Sequence, residues 1–191
     1  VVVTMESAPT VRGCPTCGVV AESRGRRTTT LVYIPCFARP TRLRWRKRTW
    51  RFLEPACPTR VFTEQDEQIA RPRGLLTTRA CRWVIEQVRR EHASIHGLAR
   101  QLGVAWKTVW GSIQPILATL ADDEARFAGV TTLGVDEHLW HHVSPRKRGP
   151  KELTGMVDLT RDKDGRVRAR LLDLVPGRSG TVYKTWLDQR G

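Results

Sequence analysis

No run of about 18 apolar residues exists anywhere in the chain, so nothing in it reads as a helix spanning a bilayer. The opening Val1-Val2-Val3-Thr4-Met5 is too short and too uncharged for a signal peptide, which makes cytosol the expected compartment. Internal repeats and low-complexity tracts are also missing. Acids are scarce: 19 Asp and Glu face 33 Lys and Arg, for a net charge of +14. That balance favours polyanions, bound through phosphate contacts and counterion release, with an anionic membrane surface as the alternative. Cysteine is sparse and odd in number, at five. Two of the five form Cys14-Pro15-Thr16-Cys17, a spacing that in a cytosolic chain points to metal binding rather than a disulfide.

At 191 residues the chain can hold one medium domain or several small ones. Three segments differ in pattern. Residues 11–62 are basic and strand-like, punctuated by Pro35, Pro40, Pro55 and Pro58. Residues 10–60 hold twelve Lys/Arg against two Glu, which points to nucleic acid more than to a merely solvated surface. Leu31 to Ile34 is one strand candidate. In Arg42 to Phe52 the residues Arg42, Arg44, Arg46 and Arg48 fall on one face and Leu43 and Trp45 on the other. Such a ribbon would clasp phosphates on its basic face while its apolar face packs.

Residues 63–120 turn helical. Thr63 is placed to cap a short helix, Glu64 to Ala70, ended by Pro72 and Gly74. Thr77 or Thr78 precedes a helix from Arg79 to Arg90. Ser94 to Trp110 then has the pattern of a helix-turn-helix, with the small Ala99 allowing close approach and Gly103 at the tight turn. Leu98, Leu102, Val104, Val109 and Ile113 would form its core. The second helix, from Trp106 to about Leu120, would enter the major groove and point Trp106, Lys107 and Thr108 at DNA. Pro115 predicts a kink or break near Gln114. A helical hairpin that binds nothing is the plainer alternative.

Residues 128–191 switch to strands. Val130 to Trp140, Leu153 to Thr160 and Arg166 to Val175 read as three strands, with Arg161 to Gly165 as a hairpin turn. Ser179 is placed to cap a helix through Leu187. Asp136 is expected on a buried strand, as a metal ligand or as an ion-pair partner of the Arg146-Lys147-Arg148 loop.

These modules in this order resemble bacterial insertion-sequence transposases of the DDE class, most closely the ISL-three family. The likeness rests on Cys14-Pro15-Thr16-Cys17-Gly18, Glu54 to Phe62, Leu133-Gly134-Val135-Asp136-Glu137-His138, and Leu171 to Tyr183 with its Pro176-Gly177-Arg178-Ser179 turn. It implies an α+β multidomain fold: a small zinc-ribbon-like module, a helix-turn-helix module, and the start of a ribonuclease-H-like domain as a three-strand meander plus helix. It implies DNA cutting and joining by Mg²⁺ ions held by two Asp and one Glu, with Asp136 as the first Asp. It also implies Zn²⁺ on Cys14, Cys17 and Cys57, and double-stranded DNA as partner, namely the inverted repeats of the parent element, with oligomerisation on DNA.

The chain departs from that family in two places. Phe52 stands where the second knuckle would have its other cysteine, leaving three thiolates for a site that normally takes four. The chain also ends before the strand carrying the second Asp and before the Glu, and Asp158, Asp173 and Asp188 do not substitute by position. The expectation is therefore a DNA-binding N-terminal fragment, catalytically incomplete alone, with a repressor-like binding module or an RNA-binding ribbon protein as alternatives. Cys36 is an unusual place for a ligand, Cys81 reads as a core residue, and His138, His141 and His142 read as flanking-loop or DNA contacts, because Mg²⁺ does not favour imidazole.

Overall fold

The computed structural model describes residues 1–8, 10–51, 54–139 and 151–190, so Phe52, His141, His142 and the Arg146-Lys147-Arg148 loop lie outside the described residues. The chain divides into two compact units, Val1–Ala121 and Asp122–Gly191. Among the described residues the fold is α+β, with two sheets and four α-helices.

The first unit begins as a sheet. Strands β1 (Val2–Glu6), β2 (Glu22–Cys36), β3 (Arg39–Arg51) and β4 (Val61–Thr63) assemble around β3. β2 and β3 form a long antiparallel hairpin, in which the Thr28 to Tyr33 stretch is rich in the β-branched residues that fit a pleated surface. The hairpin turns on Phe37 and Ala38, whose φ values of 53° and 55° suit the right-handed twist of a two-residue turn. β1 runs parallel to β3 along Arg42–Arg46, and β4 pairs antiparallel with Thr49–Arg51.

Three helices complete the unit: α1 (Thr78–Glu91), α2 (Ile95–Leu102) and α3 (Trp106–Ala121). Thr77 caps α1 by accepting from the Ala80 amide at 3.1 Å, and Ser94 caps α2 by accepting from the Gly97 amide at 3.1 Å. Gly103 ends α2 in the left-handed region at φ 63°, its amide donating back to Ala99 and Arg100. Leu98, Leu102, Val109 and Ile113 are fully buried between the helices and Val104 is partly buried there. Ala80, Val84 and Leu76 join them, as does Val32 of β2.

One expectation fails here, and of the kink or break expected near Gln114 the break is absent. Residues Glu64 to Ala70 form turns rather than a helix. The Glu64 amide and carboxylate both bond to Arg48, at 2.8 and 3.0 Å, which extends the β3–β4 pairing, and Asp66 then closes a tight turn by accepting from the amides of Ile69 and Ala70. Pro115 does not break α3, which runs unbroken through it. The Gly111 carbonyl loses only one amide partner, and the helix is held from its buried side by Val109 and Ile113.

The second unit is an antiparallel meander of β5 (Leu133–Leu139), β6 (Glu152–Asp158) and β7 (Arg170–Pro176), followed by α4 (Gly180–Asp188). Ser179 caps α4 by accepting from the Val182 amide. Met156, Leu172 and Trp186 form the buried centre, with Phe127, Leu133, Val175 and Tyr183 around them. Among the described residues β5 pairs with β6 alone and lies at the sheet edge, and Val135 to Leu139 are exposed, so Asp136 is not on a buried strand. The sequence marks this segment as a strand but does not show its place at the sheet edge.

Candidate nucleic-acid interface and metal centre

The hairpin and the helix-turn-helix are joined by Arg42. Its guanidinium donates to the Leu102 carbonyl at 2.9 Å and to the Gly103 carbonyl at 2.7 Å. These are orphan acceptors at the end of α2, so Arg42 completes the cap of the turn. Gly103 has a second reason to be glycine, because a Cβ there would sit 3.1 Å from Pro40. The register that carries Arg42, Arg44, Arg46 and Arg48 along one face is present, but the four side chains do different things. Arg44 is exposed. Arg46 is exposed and lies 3.5 Å from Glu6. Arg48 is buried, donating to the Ser7 carbonyl at 3.3 Å and sitting 3.9 Å from Glu6. Glu6 also pairs with Arg26, which lowers its pKa. β1 thus supplies the neutralising acid for this face, a role that no periodicity in β3 reveals.

At the start of α3 the side chains of Trp106 and Lys107 are exposed and Thr108 is half-buried. Val109, one residue on, is fully buried, so the core fixes which way this first turn faces. α3 carries no acidic residue in its first turn. The amide end of the helix and Lys107 therefore present positive potential together.

The cysteine cluster lies in the same unit. The Sγ atoms of Cys14, Cys17 and Cys57 all lie within 4.8 Å of one another, with Cys14 and Cys57 buried and Cys17 exposed. The Cys14 to Cys57 distance is 3.7 Å. That matches the sulfur–sulfur edge of about 3.8 Å that a tetrahedron with Zn–S near 2.3 Å requires. The loop that presents Cys14 and Cys17 is tight: Gly18 donates to the Cys14 carbonyl at 2.9 Å, the Cys14 amide donates to Val19 at 2.8 Å, and Gly18 has φ 78°. A side chain at Gly13 would clash with the Gly18 carbonyl at 2.4 Å. Burial pushes the Cys14 thiol up, but the amides of Thr16 and Cys17 and the neighbouring thiols more than reverse this, bringing it down to about 7. The Val19 amide pulls Cys17 down, yet partial burial and the sulfurs of Cys57 and Cys14 outweigh it and leave it raised. One readily ionised thiol beside two others is a donor set that fits a soft divalent cation such as Zn²⁺.

Cys36 is not in this cluster; its amide donates to Thr41 near the hairpin turn. Cys81 is buried in the helical core, where burial raises its thiol. The position of Phe52 lies outside the described residues.

In the second unit the register puts Asp136, Gly155 and Leu174 on one sheet face and Val135, Met156 and Asp173 on the other, under α4. Asp136 is exposed, and its carboxylate accepts from the Glu137 amide at 2.9 Å. Asp173 is a structural hub, accepting from Trp186 at 2.8 Å and Arg190 at 3.1 Å. Asp158 pairs with Arg170 at 3.0 Å, its pKa lowered first by the Thr160 hydroxyl, and Asp188 pairs with Lys184 at 2.7 Å. Neither Asp158 nor Asp173 shares the face of Asp136. Among the described residues no set of three acids or histidines gathers at Asp136, so they do not assemble a two-ion site. Glu137 forms an ion pair with Arg178, which ties the β5 segment to the Pro176-Gly177-Arg178-Ser179 turn. His138 is exposed on the same strand.

Residues 67–115 match the family model described as the helix-turn-helix domain of transposase family ISL3. The matched span runs from the turn before α1 into the middle of α3, and so contains α1, α2, the turn at Gly103 and the start of α3 with Trp106, Lys107 and Thr108. It supports a transposase of that family and a DNA-binding role for this region. No curated protein and no solved structure was found to match the chain.

Proposed function

We propose that this chain is the DNA-binding portion of an insertion-sequence transposase of the ISL3 type. The observation that carries this reading is the helix-turn-helix of α2 and α3, matched to that family, with Trp106, Lys107 and Thr108 on the first turn of α3. α3 enters the major groove, and these three side chains read base edges and the adjoining phosphates. The partner is double-stranded DNA, specifically the inverted repeats of the parent element, on which copies of the chain meet. The working compartment is the bacterial cytoplasm; no described helix is long and apolar enough to cross a membrane.

Cys14, Cys17 and Cys57 would hold Zn²⁺ in a ribbon-like module, where the ion supplies a structural cross-link between the Cys14 knuckle and the loop after β3. The second unit corresponds to the start of a ribonuclease-H-like DDE domain, with Asp136 as its first acid. The described residues do not fit the two-Mg²⁺ set, so no cleavage step is assigned to this chain. The same observation favours the second reading, a helix-turn-helix module that represses its parent element by binding without catalysis.

An equilibrium titration against duplex DNA, followed by incubation with Mg²⁺ or Mn²⁺, tests the proposal. The expected result is salt-sensitive binding with no strand cleavage. Robust cleavage abolished by Asp136→Ala would overturn the non-catalytic part, and a preference for single-stranded RNA over duplex DNA would overturn the whole.

A further inference from the structure

The cations of the first unit that form no ion pair among the described residues are not confined to the ribbon. Five of them surround a groove of about 750 Å³ between α1, α3 and the turn that precedes α1. Arg71, Arg73, Arg82, Arg89 and Lys107 line it, against the two carboxylates of Glu67 and Glu86. Among the described residues none of these five cations forms an ion pair, whereas Arg26, Arg46 and Arg48 all share Glu6. Arg82, Glu86 and Arg89 fall at i, i+4 and i+7, which stacks them along one stripe of α1.

The turn is built to hold its arginines out. The Gly74 amide donates to the Arg71 carbonyl at 2.9 Å, closing Arg71-Pro72-Arg73-Gly74. Its base is fastened to β2, where Val32 and Thr77 bond across and Leu76 is buried. Arg73 adopts φ 60°, a left-handed conformation that costs a non-glycine residue on the order of 1 kcal/mol. It does so while exposed, with no hydrogen bond or ion pair among the described residues in return. The far wall is equally open. Gly111, in the middle of α3, has nothing within 4 Å of where a Cβ would stand. A glycine there costs the helix about 1 kcal/mol relative to alanine and leaves the groove wall bare.

We infer that this groove is a binding site for the sugar–phosphate backbone of one DNA strand, gripped by Arg71, Arg73, Arg82 and Arg89 beside the base-reading turn of α3. The inference rests on the proposed DNA-binding function and adds a clamp to it. The argument is charge complementarity and continuity. Lys107 and Thr108 line the groove and also stand on the first turn of α3, so a strand flanking the major groove passes directly into it. Backbone contacts of this kind position α3 without reading sequence.

The test uses the full chain and random-sequence duplex DNA over a series of salt concentrations. Each cation that meets a phosphate contributes about 0.9 to the slope of log affinity against log salt. Replacing Arg71, Arg73, Arg82 and Arg89 with Gln should flatten the slope by about 3 to 4, and Lys at the same positions should restore most of it. Gly111→Glu removes no contact and meets open space, so it should preserve the fold by circular dichroism yet weaken binding several-fold. A folded quadruple variant with the parental slope would overturn the clamp while leaving DNA binding intact. Absence of binding by the parental chain would overturn both. Loss of affinity for an acidic peptide, with duplex binding unchanged, would assign the groove to a protein partner and overturn the clamp.

Discussion

Arg42 shows how little a residue's type says about its work. Its place in the Arg42, Arg44, Arg46, Arg48 series marks it as a phosphate ligand, yet its guanidinium is spent on the Leu102 and Gly103 carbonyls. Arg42→Ala should therefore lower stability by about 1.5–3 kcal/mol, seen as a drop in Tm, because two charge-assisted bonds to orphan carbonyls disappear. Its effect on the salt dependence of DNA binding should be negligible. A flattened slope with unchanged Tm would contradict the capping role. Gly103→Ala should also destabilise, since it must hold φ 63° and would crowd Pro40. The alternation of these arginines is legible from sequence. Which of them face water is not, because that depends on β1 and the helix-turn-helix covering parts of the same face.

At the scale of elements, the helix-turn-helix was the most legible part. Thr77 caps α1 at one of the two positions expected to precede it, Gly103 takes the left-handed turn, and Leu98, Leu102, Val109 and Ile113 are all buried. Leu102→Ala should cost about 2–5 kcal/mol, measured by denaturant unfolding, because the residue is fully buried between helices that cannot easily collapse onto a cavity. The short helix from Glu64 to Ala70 was misread because local propensity cannot register that Glu64 pairs with Arg48 of β3. The exposure of Asp136 is not legible in the sequence, because a strand's own residues do not tell whether it lies at the edge or the centre of a sheet.

The cysteine knuckle makes its own prediction. The folded Cys14 pKa is depressed to about 7, below its unfolded value near 8.5, so the thiolate favours the fold. That contribution is full above the unfolded value and is lost as pH falls through about 7. Thiolate absorbance of the metal-free chain should show one group titrating near neutrality, removed by Cys14→Ser. Zinc uptake should weaken steeply below that pH, and any of Cys14→Ser, Cys17→Ser or Cys57→Ser should abolish stoichiometric binding. Full zinc affinity in the Cys57→Ser variant would contradict the three-thiolate site.

At the scale of the whole chain, the helix-turn-helix lies in Val1–Ala121 and Asp136 in the second unit. Asp136→Ala is accordingly expected to leave DNA affinity within about twofold of the parent, since it removes one carboxylate from an exposed strand. The measurement closest to the central claim is selection of bound duplexes from a randomised pool by the parental chain and by Lys107→Ala. The account predicts enrichment of one defined sequence by the parent, with the preference relaxed at one or two base positions in the variant. Equal recovery of all sequences by the parent, or an identical preference without Lys107, would contradict it.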